Sequence, residues 1–169
     1  MKKKIVLVLF VLTLIASMNY KTIEGAIHKA SIPYEEILHQ IEYDNFTILF
    51  DAHGDTLSIG LLKKSLLGYK WEAGGGSDHF SQQDPVTWDV SNFTAQKLFN
   101  EKEIITVTKG VIHDNNINEL IIHYKDSDVK ASIIETSRGR VWYSFSQSPV
   151  NYKPDLTIYM DGSFKQGRS

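Results

Sequence analysis

Asp51-Ala52-His53-Gly54-Asp55 sets two carboxylates and an imidazole in one short stretch, a donor set that can cup a divalent cation at a hairpin tip. The simpler reading is a polar turn, because Asp and Gly are also the residues that bend backbone. Ser77-Asp78-His79 offers a hydroxyl, an acid and an imidazole. A Ser-His-Asp triad, however, draws its members from distant segments, so adjacency argues against one here. The sequence contains neither a G-x-S-x-G elbow nor an H-E-x-x-H zinc helix. Gly74-Gly75-Gly76 lacks the Lys-Ser/Thr pair of a phosphate loop and reads as flexibility. Glu35 and Glu36, with His39 one turn on, are explained by a helix whose first turn favours acids.

His113 and His123 raise the question of a shared metal. His113-Asp114-Asn115-Asn116 is made of turn formers, and in the strand that follows alternation puts Leu120, Ile122 and Tyr124 on one face and His123 on the other. At about 3.3 Å per strand residue the two imidazoles are too far apart to meet on one ion. The sequence therefore assigns no catalytic residue, no metal and no cofactor.

The aromatic residues hold the remaining chemistry. Trp71, Trp88 and Trp142 lie in or beside strand-forming runs. In Arg140-Val-Trp-Tyr-Ser-Phe145 alternation puts Val141, Tyr143 and Phe145 on one face, which reads as core, and Arg140, Trp142 and Ser144 on the other. An exposed Trp142 flanked by Arg140 and Ser144 would have the composition of a binding hot spot, and these three are the candidate ligand-binding residues. The competing expectation is that Trp142 packs beneath the N-terminal helix or the long Ala73 to Pro85 loop.

These residues need elements to hold them. Ile23, Ala26, Ile27 and Ala30 recur near the helical period, and Pro33 interrupts the run. Ile37, Leu38 and Ile41, set against Glu35, Glu36 and Gln40, predict a second, amphipathic helix over 34–43. From Asn45 onward the signal becomes short runs of Ile, Val, Thr and aromatics. FTILFDA, TLSIGLL, GYKWEA, IITVTKGVI, INELIIHYK, VKASIIET, RVWYSFS and DLTIYMD read as strands, with a hairpin turn at Ser137-Arg138-Gly139.

The N-terminus carries Lys2, Lys3 and Lys4 followed by a nearly unbroken apolar run from Ile5 to Met18, the order of a secretory signal peptide. The run is short for a bilayer-spanning helix, which needs roughly 20 residues. Cleavage is expected close to Ser17, with an uncleaved membrane anchor as the alternative. Residues 1–18 are thus the export segment and residues 19–169 one domain. Without the three lysines, 15 basic residues face 20 acidic ones, a balance of −5 that disfavours nucleic acid. The chain has no cysteine, so it has neither disulfides nor a lipid-accepting cysteine, which favours bacterial export.

KGVIHDNNINELIIHYK, VKASIIET and RGRVWYSFS resemble the C-terminal half of a group of small exported proteins of Gram-positive bacteria. The shared features are an I-x-D-x-x-I turn (Ile112, Asp114, Ile117), an R-V-W segment (Arg140 to Trp142) and a late D-G turn (Asp161-Gly162). The resemblance implies a location and a fold class, and no catalytic residue. The expected fold is α+β, with N-terminal helices packed on an antiparallel, meander-like sheet of about six to eight strands; an all-β sandwich with a helical lead-in is the runner-up. The expected function is a non-enzymatic extracytoplasmic module binding another protein or a cell-envelope glycan. The alternatives are a secreted hydrolase using Asp51 and His53 or Asp78 and His79, and an inhibitor presenting the Ala73 to Pro85 loop.

Overall fold

The computed structural model describes residues 20–96, 102–146, 148–160 and 163–167. The export segment with its cleavage position and the Asp161-Gly162 turn lie outside the described residues. Among the described residues, no helix is long and apolar enough to cross a membrane.

Among the described residues, one helix, α1 (Ile23–Lys29), precedes twelve strands: β1 (Glu36–Tyr43), β2 (Phe46–His53), β3 (Thr56–Ser65), β4 (Gly68–His79), β5 (Asp89–Gln96), β6 (Lys102–Ile112), β7 (Ile117–His123), β8 (Asp128–Lys130), β9 (Ser132–Thr136), β10 (Gly139–Ser146), β11 (Asp155–Met160) and β12 (Ser163–Gly167). They form three four-stranded sheets, ordered β1-β2-β3-β4, β5-β6-β10-β9 and β12-β11-β7-β8.

This corrects the α+β expectation: the described residues form an all-β stack of sheets with one short helical lead-in. The second expected helix, 34–43, is the edge strand β1. Its apolar spacing imitates a helix because the ladder with β2 slips between Ile37 and His39. The bulge at Leu38 breaks the two-residue alternation. Ile37 then packs beneath the helix, while Leu38, Ile41 and Tyr43 pack between the first two sheets. α1 itself forms where Ile23, Ala26 and Ile27 predict it, started by Thr22, whose hydroxyl accepts from the Gly25 N–H at 3.1 Å.

The three sheets lie face to face. Phe46, Ile48, Phe50, Leu57, Ile59 and Leu61 of the first sheet meet Phe93, Ile105, Val107, Val111 and Val141 of the second. The other face of the second sheet, through Ile112 and Trp142, meets Ile117, Leu120, Ile122 and Leu156 of the third. α1 covers part of the outer face of the first sheet over Leu49 and Leu62. The second sheet is therefore buried on both faces, which decides the fate of Trp142.

The His113 to Asn116 segment is the turn by which the chain leaves the second sheet for the third, after β6 and before β7. The Asp114 carboxylate holds it by accepting from the Asn116 backbone N–H at 2.9 Å. The Ser137-Arg138 hairpin turn is also observed, and Arg138 donates to Glu35, Glu36 and the Gly54 carbonyl, tying the second sheet to the first.

Candidate functional site

Strand β4 is the least regular strand of the stack, and its irregularity builds the site. Leu61 pairs with Ala73 and Leu62 with Trp71, so Glu72 is an extra residue. That bulge turns Trp71 to the outer face beside Leu62 while Ala73 stays inward beside Leu61. The Trp71 indole then lies across the paired glycines Gly60 and Gly74. A Cβ at Gly60 would stand 2.1 Å from its ring, and one at Gly74 2.8 Å. Further along, Gly76 and Ser77 together oppose Ser58, and Gly76 adopts φ +69°, a conformation that favours glycine.

A cleft of about 700 Å³ opens here beside β4, where the first sheet meets β5 of the second, bounded by Ile32 and Pro33 and lined by Trp71, Asp51, Ser58, Ser77 and Asp89. Asp51 and Ser58 are cross-strand partners, two register positions beyond the Leu49–Gly60 pair on which the indole rests. A second cleft, of about 520 Å³, adjoins it and shares Ser77 and Asp89.

Behind the glycines lies a buried polar cluster. Lys109 of β6 is 0% exposed and shares its strand face with Ile105, Val107 and Val111. Its Nζ stands 3.9 Å from Asp89 Oδ2 on the adjacent strand, too far for a hydrogen bond. Gly76 brings β4 directly over the pair: a Cβ there would fall 2.3 Å from Asp89 Oδ2, 2.9 Å from Lys109 Cε and 2.9 Å from Ser91 Oγ. Burial pushes the Lys109 ammonium below its ordinary range, opposed by Asp89, Asp78 and Asp51. Burial likewise pushes the Asp51 carboxyl up to about 6, opposed by Lys109 and His53. Among the described residues, six buried side-chain polar atoms lack a hydrogen-bond partner. Five of them belong to this locus: Asp51 Oδ1, Asp78 Oδ2, Asp89 Oδ2, Ser91 Oγ and Lys109 Nζ.

The residues singled out by sequence are distributed otherwise. Trp142 is 0% exposed, its Nε1 donating to the Thr87 carbonyl at 3.0 Å. It packs against the third sheet, beneath neither the N-terminal helix nor the Ala73 to Pro85 segment. Ser144 is buried against the Tyr124 hydroxyl at 2.6 Å, and Arg140 donates to the Ile117 carbonyl at 2.7 Å and to Glu135 at 3.0 Å. The three share a face, as alternation requires, but that face meets the third sheet and not solvent. The expected long loop is also shorter, since Ala73 to His79 belongs to β4.

His53 and His79 sit at turn tips beside Glu35 and Asp55, at 3.9 Å and 3.6 Å. His123 is held between Asp128 at 2.8 Å and Thr157 at 2.7 Å. Asp51 and Asp78 both act on the buried Lys109, and His53 reaches only Asp51. Among the described residues, no group of three or more His, Cys, Asp or Glu is placed to hold a metal ion.

Lys109, Asp89 and Trp71 are site residues that the sequence analysis does not name as such. A signal for Lys109 existed: in IITVTKGVI the lysine occupies the same alternation parity as Ile105, Val107 and Val111, a charge on an apolar strand face. Trp71 carried no such signal, because its direction depends on the bulge at Glu72. No protein-family model, curated protein or solved structure matches this chain.

Proposed function

We propose that the chain is an exported, extracytoplasmic binding module whose ligand is a cell-envelope glycan held in the Trp71 cleft. The observation that carries this reading is the indole laid over Gly60 and Gly74 beside Asp51, Ser58, Ser77 and Asp89. A sugar ring presents C–H groups that stack on an indole and hydroxyls that donate to carboxylates and serine oxygens. The cleft lies within the roughly 300–1,000 Å³ range of small-ligand sites. Export rests on the lysine-then-apolar order of residues 1–18 and, with it, on the resemblance to exported Gram-positive proteins. It is tested by recovery of the native protein outside the cytoplasm with a new N-terminus close to Ser17; full-length protein found only in the cytoplasm would refute it.

Replacing Trp71 by alanine is expected to weaken binding to N-acetylhexosamine oligosaccharides about 30-fold, the effect of losing one aromatic anchor of about 2 kcal/mol. Calorimetric titration of parent and variant measures it, and equal affinities would sink the proposal.

One observation favours a second reading, a glycan hydrolase: Asp51, raised to about 6, shares the cleft with the partly exposed Asp89. Two carboxyl groups facing one bound sugar are what glycoside hydrolysis requires. Release of reducing ends by the parent, abolished in Asp51→Asn, would establish that reading; binding without release leaves the module.

A further inference from the structure

The geometry points to a covalent cross-link: we propose that Lys109 and Asp89 condense within the folded chain to an amide joining β5 to β6. The two residues are direct cross-strand partners, and their facing polar atoms are 3.9 Å apart with no hydrogen bond to each other or to any other described group. An ion pair kept for its charge would close to about 2.7–2.9 Å and fill its remaining valences. This pair does neither. Lys109 has no exposed area, and the Gly76 backbone closes over it, so the amine meets its own neighbours and not an external carbonyl compound.

The chemistry balances without an oxidant or a co-reactant. Burial disfavours the Lys109 ammonium, which passes one proton from Nζ to the facing Asp89 carboxylate and becomes the neutral amine. The Nζ lone pair then attacks Asp89 Cγ. Asp78, 4% exposed and with Oδ2 unpartnered, takes a proton from the attacking nitrogen and returns it to the departing hydroxyl. The Cγ–O bond breaks, the Nζ–Cγ amide forms and one water leaves. Burial of Lys109 supports the attack by disfavouring its ammonium, and Gly76 supplies the room, since any side chain there would displace the pair. The product closes a loop between β5 and β6 in a chain that has no cysteine for a disulfide.

The cross-link removes Asp89 as a free carboxyl and so excludes the hydrolase reading, while glycan binding can rest on Trp71, Asp51, Ser58 and Ser77; its test is a mass and not an affinity. Intact-mass spectrometry of the purified protein is expected to give the sequence mass less one water. Tryptic digestion should then yield a branched peptide joining the Asp89 and Lys109 segments, uncut at Lys109. The Lys109→Met and Asp89→Ala variants, denatured and weighed whether or not they fold, should return the full sequence mass. A parent of unmodified mass would overturn the proposal, leaving a polar cluster satisfied by water. So would a lost water that persists in either variant.

Discussion

Trp142→Ala should lower the stability of the protein by about 3–5 kcal/mol, the cost of truncating a buried large aromatic. Trp142 is first by size among the fully buried side chains, and it stands between the second and third sheets with Ile112, Ile117, Leu120 and Ile122. Its pocket is shaped around it. A Cβ on Gly110, its cross-strand partner, would fall 1.8 Å from the Thr87 carbonyl oxygen and 2.8 Å from the indole nitrogen. Alanine at position 142 leaves a cavity that the flanking strands cannot close, and it strands the Thr87 carbonyl without the indole N–H. Urea unfolding should show a lower midpoint at unchanged slope, the mark of lost stability without a change in the unfolded chain. A shift below about 1 kcal/mol, the range of surface substitutions, would mean that Trp142 is not core after all.

The Asp51→Asn variant should be more stable than the parent at neutral pH and match it in acid. Burial raises the Asp51 carboxyl from 3.8 to about 6 in the folded chain. Between those values the unfolded chain has released the proton and the folded chain still holds it. Raising the pH through this window therefore costs the parent stability, and above about 6 the loss levels off. The full gap corresponds to about 3 kcal/mol. Asparagine has the shape of the protonated acid and does not ionise, so the variant escapes the loss. Unfolding midpoints measured from pH 4 to pH 8 should diverge across the window, with the parent falling. A constant difference at every pH, or a variant weaker than the parent at pH 8, would show that Asp51 is held as a carboxylate by Lys109.

The strand alternation of RVWYSFS was legible in the residues alone: Val141, Tyr143 and Phe145 on one face and Trp142 on the other is the arrangement observed. So were the short helix over Ile23, Ala26 and Ile27, the turn at His113 to Asn116 and the Ser137-Arg138 hairpin, because caps, turns and periodicity are local properties of the chain. VKASIIET, by contrast, reads as one strand and is two. β8 and β9 join different sheets on either side of Ala131, a division made by which neighbours each half finds.

Binary pattern distinguishes the faces of a strand but not what lies beyond each face. A polar-flanked tryptophan reads as exposed when one sheet is imagined and becomes core when a third sheet covers the second. The same limit explains β1, whose bulge at Leu38 disguises a strand as a helix. It explains the site as well. Asp51, Asp78, Asp89 and Lys109 come from four strands of two sheets, far apart in the chain. They meet only because two bulges and three glycines let β4 fold down over β6. Sequence shows a lysine among apolar residues and acids at several turns. Which acids face that lysine, and how dry their meeting place is, follows from the packing of sheets, since burial is a property of the assembled stack and of no single segment.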